Sequence, residues 1–142
     1  MTKEAGCELC ELSVPTVWRG DRFSVIVVDD ANYPGFCRVI WHDHVREMSD
    51  LSRADRLLVN EAVFLVEEAV REVMQPLKVN VASLGNVVPH LHWHIIPRYA
   101  DDAHFPAPVW AQAVRATEAD TLAARRALAG QLGAAIARRF NR

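Results

Sequence analysis

The chain lacks a long apolar run. Nothing in its 142 residues approaches the ~18 uncharged residues of a membrane-spanning helix, so no membrane span is expected. It also lacks an excess of either charge. Sixteen Lys and Arg stand against eighteen Asp and Glu, for a net charge of −2. A broad basic field is the footprint of a nucleic-acid or anionic-membrane surface. Neither partner is expected, and an anionic ligand must be held by a few local donors. Cysteine is scarce: Cys7, Cys10 and Cys37 are odd in number, and two of them share one short spacing. That is not the disulfide framework of a small secreted protein. The opening Met1-Thr2-Lys3-Glu4 has none of the apolar stretch of a signal peptide, and the cytoplasm is the expected compartment. There is no internal repeat and no low-complexity tract, apart from an Ala- and Arg-rich C-terminal segment. A chain of this length supports one substantial core.

Histidine is where the chain is rich. His90-Leu91-His92-Trp93-His94-Ile95-Ile96 lies between Pro89 and Pro97. Proline has no N–H for a sheet ladder, so the two prolines are expected to limit a strand. On a strand the side chains alternate. His90, His92 and His94 then share one face, and Leu91, Trp93 and Ile95 present an apolar face to a core. Two chemistries suit such a row of bases. One imidazole can act as a nucleophile that its neighbours orient. Alternatively, a His-x-His pair can ligate a metal.

The rest of the chain supplies context. Cys7-Glu8-Leu9-Cys10 is a pair of potential thiolate ligands, but a closed zinc site needs four. Thr16–Trp18, Phe23–Val28 and Phe36–Trp41 read as β-rich strands, with a turn-forming loop at residues 29–35. Cys37 is expected to be a small buried side chain. Ser52 is a plausible helix N-cap with Asp55 in a capping-box position. From Arg53 to Met74 apolar residues recur at spacings of three and four, which predicts a helix that Pro76 follows. Leu77–Leu84 reads as a strand with Asn80 among apolar neighbours, an amide that needs backbone or ligand partners. His42 and His104 are expected on the surface. From Trp110 onward the Ala-rich chain is expected to be helical, with a fresh helix able to start at Thr117-x-x-Asp120 and Leu128, Leu132, Ile136 and Phe140 as an apolar stripe at i+4 spacing.

The alternation of three histidines with apolar residues resembles the signature of the histidine-triad (HIT) family of nucleotide hydrolases and transferases. The flanking order extends the resemblance over roughly residues 7 to 100: Tyr33-Pro34-Gly35-Phe36, His44-Val45, Asp50-Leu51, Asn80, Gly85-Asn86, and Pro97-Arg98 after the triad. The resemblance implies an α+β fold. Its parts are a mostly antiparallel sheet of about five strands and one core helix; the C-terminal helical extension read from the spacing lies outside that common core, so the chain is expected to divide as residues 1–108 and 109–142. It implies that His92 is the nucleophile, attacking the α-phosphorus of a nucleoside phosphoramidate or dinucleoside polyphosphate to form a nucleotidyl-histidine. His94 would steady the charged oxygens. His90 would orient His92 or bind zinc. Asp29, or Asp30 beside it, would hold the ribose, and Asn80 and Asn86 would help to bind the nucleotide, a purine with adenosine favoured. Cys7, Cys10, His44 and His90 would form one structural zinc site, and the chain would pair as a homodimer.

Two departures stand out. Many family members carry Gln-Ser or Gln-Thr where this chain has Asn86-Val87, so a hydroxyl that could protonate a leaving group is missing. Trp41-His42-Asp43 replaces the usual Pro-Lys approach to His44. Two other functions remain open: a zinc metallohydrolase built on His-x-His, and a nucleotide-binding regulatory protein of low turnover.

Overall fold

Ser52 starts the longest helix. Its hydroxyl accepts the Asp55 backbone N–H at 3.2 Å, capping α1 (Arg53–Met74). Asp55 turns its own carboxylate to Arg22, at 3.0 Å. The expected bounds are met. Val59, Ala62, Val63, Val66, Val70 and Val73 are all buried on one face, as their spacing requires. The helix ends where Gln75 adopts a left-handed φ of 49° ahead of Pro76. These observations come from a computed structural model that describes residues 2–141. Met1 and Arg142, the outer limits of the two expected segments, lie outside the described residues.

The buried face of α1 packs on a five-stranded sheet: β1 (Trp18–Arg19), β2 (Phe23–Val27), β3 (Cys37–Trp41), β4 (Lys78–Ala82) and β5 (His92–Arg98). The strand order is β1-β2-β3-β5-β4, antiparallel throughout. Alternation divides the sheet. Phe23, Val25, Cys37, Val39, Trp41 and Ile95, with Leu91 just upstream, face the core with α1. The other face is set by register: Ser24 lies opposite Ile40, Ile40 opposite His92, and Arg38 opposite His94.

Pro97 does not end the triad strand, contrary to expectation. It lies within β5 opposite Val79. Pairing with β3 stops at Ile95, so beyond that point β5 has a free edge, where proline is tolerated. His90 is in turn outside the strand. Its N–H bonds to the Val88 carbonyl at 2.8 Å, which turns the chain into β5.

The C-terminal segment forms α2 (Ala119–Ala129) and α3 (Leu132–Phe140). Leu132, Ala135 and Ile136 enter the same core, and the Phe140 ring stacks 5.2 Å from Trp18. The expected stripe is interrupted at Gly130 and Gln131, between the helices, and Leu128 stays exposed. Residues 110–118 are not helical, contrary to the expectation of helix from Trp110, and the start expected at Thr117 is displaced as well. Its hydroxyl donates to the Asp101 carbonyl at 2.8 Å, and helix begins at Ala119.

Candidate functional site

His92 and His94 project from one face of β5 into a cavity of about 490 Å³, whose lining includes Glu8, Arg38, Asn86 and Trp110. Both imidazoles are buried, and their rings meet edge to face at 4.9 Å. Their hydrogen bonds set their tautomers. His92 Nδ1 lies 2.6 Å from the His90 carbonyl oxygen. A carbonyl only accepts, so Nδ1 carries the hydrogen and Nε2 is a bare base. His94 Nδ1 accepts from Arg38 Nε at 3.4 Å. A guanidinium only donates, so in neutral His94 the hydrogen is on Nε2. Burial lowers the pKa of His92, offset in part by the His90 carbonyl. Burial, then the neighbouring His92 and Arg38, lowers His94 to about 4. Near pH 7 the pair is neutral, one member offering a lone pair and the other a proton.

The remaining expected residues divide. Asn86 lines the cavity. Asn80 does not reach it. Its Oδ1 accepts from Arg98 Nη1 at 2.7 Å, so the partner of this amide is a cation rather than backbone or an open ligand site. Asp29 is exposed just after β2 and is not among the lining residues. Asp30 accepts the Asn32 N–H at 2.9 Å.

His42 and His104 are not surface residues. His42 is half-buried, with Nε2 2.8 Å from the Ser24 hydroxyl and Nδ1 3.1 Å from the Asp21 carbonyl. His104 is buried, with Nδ1 2.6 Å from the Tyr33 hydroxyl. Both belong to polar networks that close only when distant segments meet. Three residues in the cavity wall escaped the sequence reading. Arg38 carried a signal, a lone charge inside an apolar strand. Glu8 and Trp110 carried none, because each arrives from a different loop.

At the other end of the histidine run, Cys7, Cys10, His44 and His90 converge, with one donor atom from each lying within 4.8 Å of the others. His90 Nδ1 lies 3.5 Å from Cys7 Sγ, 3.4 Å from Cys10 Sγ and 3.3 Å from His44 Nδ1. Cys10 Sγ lies 3.3 Å from His44 Nδ1. A tetrahedral zinc ion with ordinary bond lengths would set N···N near ~3.4 Å and S···N near ~3.6 Å, so these spacings fit one. The outward nitrogens are also engaged. His44 Nε2 meets the Glu4 carboxylate at 2.6 Å, and His90 Nε2 meets the Trp41 carbonyl. Such partners hold Nδ1 deprotonated and aimed inward. The cluster is able to bind a metal ion, and the residues present fit one with mixed sulfur and nitrogen preference.

Comparison with known proteins agrees with this geometry. The HIT domain matches residues 13–101. A histidine triad protein of Bradyrhizobium japonicum is 28% identical over 88% of this chain and 89% of its own, with a TM-score of 0.70. One from Marinobacter aquaeolei is 28% identical over 88% of this chain and 95% of its own, with a TM-score of 0.66. A zinc-bound histidine triad family protein of Mycobacterium smegmatis shares the fold at 19% identity, over 91% of this chain and 94% of its own, with a TM-score of 0.55. Comparison with curated proteins finds no match. The motif, the sheet that carries it and the domain match together show that this chain belongs to the HIT family.

Proposed function

We propose that the protein is a nucleotidyl hydrolase or transferase acting at the α-phosphate of a purine nucleoside phosphoramidate or dinucleoside polyphosphate. The observation that carries this reading is the pair of opposite tautomers in one cavity. The His92 Nε2 lone pair attacks phosphorus. The bond from phosphorus to the leaving group breaks while His94 Nε2–H donates a hydrogen bond to a charged phosphoryl oxygen, and the departing amine or phosphate takes up a proton from water. Water, or another acceptor hydroxyl, then attacks phosphorus and loses its proton to solvent, and the phosphorus–nitrogen bond breaks to release His92. Arg38 adds positive charge beside the developing negative oxygens, and Asn86 offers an amide from the wall. The test is amine release from a fluorogenic adenosine phosphoramidate by native protein and by His92→Ala. Release that disappears in the variant supports the reading, and equal rates refute it. AMP binding without amine release would support a regulatory module instead. A metallohydrolase on His92 and His94 is not favoured. Among the described residues, the metal-competent group is the Cys7, Cys10, His44 and His90 cluster, which contains neither histidine.

The same reading assigns zinc to that cluster, in a structural role. The fit of its donor spacings supports this, as does the zinc-bound M. smegmatis relative. When bound, the ion would pin the N-terminal segment to the turn before β5. Metal analysis of the native protein should find about one zinc per chain, reduced severalfold in Cys7→Ser, and chelation should lower the melting temperature. Full retention of both would exclude the assignment. Cys7 and Cys10 as zinc ligands and Cys37 as a buried thiol accord with a reducing cytoplasm.

A homodimer is the expected assembly. β4 is an edge strand, and Leu57, Leu58, Phe64 and Leu77 are exposed apolar side chains, a combination that favours association. Sedimentation should give twice the 15.9 kDa of one chain.

A further inference from the structure

The triad cavity has a polar floor and an apolar rim. Trp110, Val87 and Leu84 line it, yet they remain 56%, 93% and 48% exposed. An exposed indole on a free loop would say little, because such a side chain finds many positions. The loop that carries Trp110 is held at both ends. Arg98, at the end of β5, donates from Nη2 to the Ala107 carbonyl at 2.7 Å. Past Trp110, Arg115 donates from Nη1 to the carbonyls of Asp102 at 2.8 Å and Phe105 at 2.7 Å. None of these bonds serves the phosphate chemistry. They hold the loop backbone beside the cavity, so that an arriving ligand has only the indole's own two torsions to order.

We propose that Trp110 is a specificity-determining residue of this cavity, its indole face receiving a planar aromatic group of the ligand while the phosphate sits at His92. The inference rests on the nucleotidyl-transfer reading and extends it. Aliphatic walls alone accept any apolar chain. An indole adds a flat π face, on which a nucleobase or an aryl leaving group stacks. Such stacking changes affinity by roughly 10- to 100-fold.

The test compares native protein, Trp110→Ala and Trp110→Phe. AMP binding is measured by calorimetry. Turnover is measured with two adenosine phosphoramidates, one releasing an aromatic amine and the other an alkyl amine. If the nucleobase stacks, Trp110→Ala raises Kd for AMP and KM for both substrates by about 10-fold or more, and Trp110→Phe restores most of the loss. If the leaving group stacks, only the aromatic substrate suffers, and AMP binding is unchanged. Either pattern supports the proposal. A folded Trp110→Ala protein with Kd and both KM values within about 2-fold of native overturns it. Native protein that binds AMP without releasing amine would sink the catalytic reading alone, and the AMP arm would then decide the role of Trp110. Native protein that does neither would sink both.

Discussion

One face of β5 carries His92 and His94 at one end and Arg98 at the other, with Ile96 between them. All three polar residues are buried, at 7%, 9% and 2% exposure, yet the two ends differ in kind. Arg98 commits all three of its nitrogens. Nε and Nη2 grip Asp102 at 2.8 and 3.0 Å, and Nη1 takes Asn80. Asp102 accepts in addition from the backbone N–H groups of Tyr99, His104 and Phe105. Every strong group in this centre has its match. At the other end His92 Nε2 and His94 Nε2–H face a cavity with their bonding capacity uncommitted. Burial of a polar group therefore does not by itself mark a site. Buried polar groups with capacity left over that face a shared cavity do.

The contrast predicts a crossed pattern of mutant effects. His92→Ala removes the nucleophile and should reduce amine release at least ~1,000-fold, with little change in melting temperature. Arg98→Ala should do the reverse. It strands Asp102 as a buried charge, which costs about 3–5 kcal/mol and lowers the melting temperature by ten degrees or more. Its residual activity at low temperature should stay within about tenfold of native. Comparable activity losses in the two variants would erase the distinction. His94→Phe sharpens it further. The ring is replaced without its donor, and kcat should fall by about 100-fold, less than for His92→Ala because phosphorus can still be attacked. An equal loss in the two would make the histidines interchangeable in function.

The division between the ends also decided what the sequence could reveal. The bounds of α1 were legible because the cap at Ser52 and the three-four spacing are local. The alternation of the triad was legible for the same reason, and resemblance supplied the quartet of Cys7, Cys10, His44 and His90. The Arg98–Asp102 centre was not. Asp102 has the look of a loop aspartate until Arg98, four residues earlier, turns back onto it. His104 acquires its partner, Tyr33, from the far side of the chain, and His42 meets Ser24 only through the pairing of β2 and β3. Pro97 misled for a related reason. Whether a proline ends a strand depends on where the neighbouring strand stops, and that is a property of the sheet. Long-range closure hid Trp110 as well.

The smallest effect expected is a pH dependence of stability. For Asp102, burial pushes the carboxyl pKa up, but the bonds from Arg98 and three backbone N–H groups outweigh it and hold the folded value well below the usual carboxylate range. A carboxyl with a depressed folded pKa stabilises the native state above its unfolded pKa, about 3.9. That stabilisation is lost progressively as pH falls toward the folded value. His94 loses stability in the same direction, in a higher pH window. Its folded pKa of about 4 lies below that of a free imidazole, about 6.5. The native state therefore excludes a proton that the unfolded chain accepts, and stability drops as pH falls from about 6.5 toward 4. The two ends of β5 should thus weaken in separate windows, the histidine end first. Melting temperatures of native protein, His94→Phe and Asp102→Asn between pH 7 and pH 3 would resolve them. His94→Phe should make the curve shallower between about pH 6.5 and 4, where His90 and His92, also held below the free imidazole value by burial, keep part of the slope, and Asp102→Asn should flatten it only below about pH 4. One shared window in both variants would mean that the ends titrate as a single network, and the contrast between them would fail.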